Sequence, residues 1–87
     1  MTEQTDSTGL TVQDLQDVIT ACYRELEYND SKIEEYLQQY DEAEARGDDI
    51  EMRKLDAMMR GLRIDSMRLH SKIRQAEADI EELKRHA

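Results

Sequence analysis

YDEAEARGDDIEMRKL, residues 40–55, decides the fold. Its centre carries the residues that close one helix and open another. Gly47 suits the left-handed position after a helix C-terminus, and Asp48, three residues ahead of Glu51, suits an N-cap. On either side lie residues whose positions sum to 95, Ala43 with Met52 and Tyr40 with Leu55. Moving outward, the same sum joins Tyr36 with Met59, Ile33 with Leu62, Asn29 with Ser66 and Leu26 with Leu69. It continues through Cys22 with Ile73, Ile19 with Ala76, Leu15 with Ile80 and Val12 with Leu83. Two antiparallel helices folded back on a single turn produce such a constant sum.

Within each half these residues are spaced alternately three and four apart, the period of a coiled-coil seam. With Val12 as heptad position a and Leu15 as d, Met52 is again a and Leu55 d, so every pair matches an a with a d. No proline interrupts either half. The expected fold is therefore all-α: an antiparallel two-helix hairpin, an intramolecular coiled coil, with two hairpins pairing into a four-helix bundle. Only Asn29 and Ser66 are strongly polar on the seam, and the alignment puts them in one layer. Such a layer costs stability but penalises slipped alignments, which strand each polar group in hydrocarbon. Flanking charges agree with this alignment, placing Glu25 near Lys72, Lys32 near Asp65, Arg46 near Glu51 and Asp30 near Arg63. Exposed ion pairs are worth under about 1 kcal/mol, so these would select register more than add stability.

Thr11 and Asp14 form a capping-box pattern, with Leu10 and Leu15 placed as a hydrophobic staple. Residues 1–10 read as a flexible polar lead and 11–87 as the hairpin, with helix 1 at about 12–46, a turn at 47–48 and helix 2 at about 49–86. A charged fraction of 38% with no tryptophan or phenylalanine suits long helices and argues against a sheet. No signal-peptide pattern and no apolar run of ~18 residues occurs, so a cytoplasmic site is expected, or a host cytoplasm if the chain is phage-encoded.

Catalysis finds no support in the sequence. There is no Gly-rich phosphate loop, no CxxC, no HExxH and no Glu-x-x-His pair, so neither catalytic residues nor a cofactor or metal is expected. Cys22, on the seam opposite Ile73, reads as a small buried hydrophobe. His70 lies level with Glu25 and Asp30, where an ion pair would account for it, and Glu82 with His86 supplies only two metal ligands. Small helical chorismate mutases have a similar length and helical make-up but need cationic side chains inside the bundle. No arginine or lysine occupies the seam here, so that match is rejected. Four-helix dimers built from two hairpins share the architecture only.

Charge supplies the functional clue. Residues 1–47 hold twelve acids against three bases, whereas 52–75 hold seven bases against two acids, within a chain of net charge −9. Helix 1 turns Asp14, Glu27, Glu34, Glu35, Asp41 and Glu42 away from the seam. Helix 2 turns away Arg53, Lys54, Arg60, Arg68 and Arg74. Ile50, Ala57, Ile64, Ser71 and Ala78 recur every seven residues opposite the seam of helix 2, with Gly61 and Met67 beside them. A glycine inside a helix costs about 1 kcal/mol relative to alanine, which suggests close approach by another helix at Gly61. The expected function is a non-enzymatic protein–protein interaction hairpin (structural, adaptor or small regulatory) acting through its outer faces. Its partner is another protein or a second copy in a homodimer, with no membrane and no small-molecule substrate. One alternative is a small acidic inhibitor, of a phage or mobile-element kind, that blocks a nucleic-acid-binding groove. A second is nucleic-acid binding through the basic face of helix 2, opposed by the net charge and by the lack of stacking aromatics beside those arginines.

Overall fold

The computed structural model describes residues 9–86, so residues 1–8 of the expected N-terminal lead lie outside the described residues. Two helices, α1 (Val12–Arg46) and α2 (Asp49–Arg85), pack against each other as one hairpin. The rod measures 65 × 19 × 16 Å. Its length is what about 35 residues rising ~1.5 Å each give, plus side chains at the ends.

Local chemistry sets both ends of α1. The Thr11 hydroxyl accepts from the Asp14 amide at 3.1 Å, while the Asp14 carboxylate accepts from the Thr11 amide at 3.0 Å. Leu10 lines a shallow hollow together with Leu15 and Leu83, where a staple would sit. At the other end Gly47 adopts φ 72°, the left-handed region. The Asp48 amide then reaches back to the Ala43 carbonyl at 2.9 Å and the Gly47 amide to Glu44 at 3.0 Å. That double closure satisfies two of the carbonyls a helix end leaves open. Asp48 also starts α2, its carboxylate accepting from the Glu51 amide at 3.2 Å.

Burial follows the seam. Every fully buried residue among those described is a seam residue, and each remaining seam position is half-buried. Leu26 and Leu69 of one layer cluster with Cys22 and Ile73 of the next, with Ile19 against them. In the polar layer Asn29 is only 4% exposed, and its amide nitrogen donates to Ser66 Oγ at 3.2 Å. The same nitrogen donates to Asp65 Oδ2 at 3.1 Å.

The charged flanks differ from expectation. Among the described residues none of the four anticipated cross-seam ion pairs closes, and His70 makes no ion pair. The pairs run instead along single helices or at the turn: Lys32–Glu35 at 3.5 Å, Lys54–Glu51 at 3.7 Å, Arg60–Asp56, and Arg46–Asp48 at 3.7 Å. Asp65 is engaged by Asn29. Long side chains in water gain too little from one partner to be held across the groove when a nearer one stands a helical turn away.

Candidate interaction surface

On α2 the seam fixes the rotation of the helix and so fixes what faces outward. Ile50, Arg53, Ala57, Arg60, Gly61, Ile64, Met67, Arg68 and Arg74 are all exposed. Ile50 is 79% exposed, Met67 69% and Ile64 50%. Gly61, Ile64 and Met67 follow one another at steps of three, so they form a continuous outward strip. A Cβ at Gly61 would meet nothing within 4 Å, so nothing within the hairpin demands the glycine. Arg60 is held by Asp56 on its own helix, and the Arg74 guanidinium donates to Ser71 at 3.3 Å. Arg53 and Arg68 have no ion-pair partner among the described residues.

The outer face of α1 is its electrostatic opposite. Asp14, Glu27, Glu34, Glu35, Asp41 and Glu42 are exposed. Asp14 serves the capping box, and Glu35 pairs with Lys32. The carboxylate of Glu35, with Tyr28 a lesser contributor, raises the Lys32 ammonium above the ordinary lysine range. The Lys32 ammonium also sits 5.9 Å from the centre of the Tyr28 ring. Glu27, Glu34, Asp41 and Glu42 form no ion pair among the described residues. Around Ser31 the surface is indented by two adjoining open hollows, one bounded by Glu34, Gln38 and Asp41, the other by Glu27 and Asp30.

This indentation and the engagement of Asp65 by Asn29 are the features that sequence reasoning missed. A serine between longer neighbours is the only trace the hollows leave in the sequence. Cys22 is buried and unpaired, in contact with hydrocarbon. His86 and Glu82 meet at 2.7 Å on the last turn of α2. Among the described residues no three His, Cys, Asp or Glu side chains gather to hold a metal ion, and no helix is long and apolar enough to cross a membrane. A scan of protein-family models, a search of curated proteins and a search of solved structures each return no match to this chain.

Proposed function

We propose that the chain is a non-enzymatic protein–protein interaction hairpin that works through its outer helix faces. The observation that carries this reading is the strip Ile50, Ile64 and Met67, which one seam leaves in water among arginines. Single exposed apolar residues are ordinary, but a strip in register along one helix face offers burial that a lone hairpin does not use. The flanking guanidiniums suit a partner that brings carboxylates. A second copy of the hairpin is one such partner, and a different acidic protein is another.

Sedimentation equilibrium tests the reading. Wild type is expected to associate, and Ile64→Asp to weaken association with helical circular dichroism unchanged, because the new carboxylate would be unpaired in the contact. If wild type stays a single hairpin and Ile64→Asp retains every protein that wild type captures, the α2 face is an ordinary solvated surface. The second reading, an acidic rod that occupies a nucleic-acid-binding groove, is favoured by the column Glu27, Glu34 and Asp41 on a stiff helix without ion-pair partners. It expects binding that is lost when those three are neutralised and is indifferent to Ile64→Asp.

A further inference from the structure

We infer that the outer face of α2 receives the outer face of α1 from a second copy, so that hairpins join side by side in an open head-to-tail row. This rests on the reading of the α2 face given above.

Charge decides between the two ways that copies can meet through α2. If α2 met α2, Arg53, Arg60, Arg68 and Arg74 would crowd their own counterparts. If α2 meets α1, this basic face instead meets one that carries Glu27, Glu34, Asp41 and Glu42, none of them ion-paired among the described residues. Register and shape favour the second arrangement too. Let the row continue the hairpin's own antiparallel alternation at the same level, with facing positions again summing to about 95. Ile64 then stands over Ser31, where the two hollows of α1 adjoin, and Ile50 stands over Ala45. On one flank Arg60 meets Glu34 and Arg53 meets Asp41. On the other Lys54 meets Glu42, and Arg68 lies over the exposed Tyr28 ring. The one like-charged neighbour pair is Asp14 with Glu82, at the far end.

A closed square bundle is the alternative, and it fits poorly. It would turn one broad side of each hairpin inward. One side carries Asp30, Glu44, Asp56, Arg63 and Glu77 beside the exposed Tyr23 and Leu37; the other carries Glu25, Lys32, Glu51, Asp65 and Lys72 beside Val18 and Met58. Either choice buries charge and leaves Ile50 and Ile64 outside. A contact between unlike faces leaves one of each kind free on every growing assembly, so it propagates instead of closing at two copies.

Two single-face variants test this on the full chain. Ile64→Asp spoils the α2 face, and Ser31→Tyr fills the hollow on α1; both positions are exposed, so the hairpin should fold, with circular dichroism as the control. Wild type is expected to show a mean mass that climbs past two chains as concentration rises. Each variant alone should sediment as a single hairpin. Their equimolar mixture should form a pair and stop there, since each supplies one intact face. A wild type that levels off at two chains, or a Ser31→Tyr protein that self-associates like wild type, would overturn the head-to-tail contact while leaving the α2 face as an interaction surface. A wild type that never associates would overturn the second copy as occupant. In that case the α2 reading falls only if Ile64→Asp also keeps every protein that wild type captures.

Discussion

Asn29 is the residue that holds the alignment. Its amide nitrogen faces both the Ser66 hydroxyl and the Asp65 carboxylate in an otherwise apolar seam. Sliding one helix by a heptad would set Asn29 against Met59 or Ile73, and a buried amide without acceptors costs about 1–3 kcal/mol. A double-mutant cycle with Asn29→Ala and Ser66→Ala should therefore give a coupling energy of about 0.5–1.5 kcal/mol in chemical denaturation. Asn29→Asp should be worse than Asn29→Ala at neutral pH, because it sets a carboxylate against Asp65. Its excess cost should shrink as acid protonates one of the two, which melts across a pH series would show. In the neighbouring apolar layer, Leu26→Ala or Leu69→Ala should cost about 2–4 kcal/mol, whereas Glu34→Ala on the outer face should change stability by under ~0.5 kcal/mol. Equal losses would mean that α1 buries a different face. The Asn29–Ser66 match is legible in sequence because both are polar exceptions at one level. The part played by Asp65 is not, since its position beside the seam serves a partner across the groove or a neighbouring amide equally well.

Each helix is delimited by contacts within a few residues, which is why its ends are legible without coordinates. Thr11 with Asp14, and Gly47 with Asp48, need only their own sequence neighbours. Gly47→Ala should cost about 1–2 kcal/mol, the penalty for a Cβ in the left-handed region, although open space surrounds the position. Thr11→Ala should cost about 1 kcal/mol and show as faster amide exchange confined to the first turn of α1. If Gly47→Ala were neutral in urea denaturation, the turn would not have the closure described. Cross-seam ion pairs are not legible in the same way. Lys32 and Asp65 are aligned, yet Lys32 turns along α1 to Glu35 and Tyr28. Heptad position specifies neighbourhood, but flexible charged chains in water choose among neighbours by small energy differences.

At the scale of the whole molecule, one seam buries the heptad core and leaves Ile50, Ile64 and Met67 on the outer face of α2. The opposite signs of the two outer faces are legible as soon as the seam is known, because rotation about each helix axis is then fixed. The hollows around Ser31 are not, since they depend on how the side chains of Glu27, Glu34 and Gln38 spread around a small residue. The role proposed above rests on those outer faces, and they exist only if the hairpin closes in the register described. A disulfide placed in the polar layer tests that register most directly. In a Cys22→Ser background, Asn29→Cys with Ser66→Cys should oxidise within one chain, as mass spectrometry of the single chain would show. The control pair Asn29→Cys with Met59→Cys, one heptad away, should not, because ~10 Å of axial offset exceeds the reach of a disulfide. Efficient intrachain closure of the control, with none at the first pair, would contradict the register and with it the assignment of both outer faces.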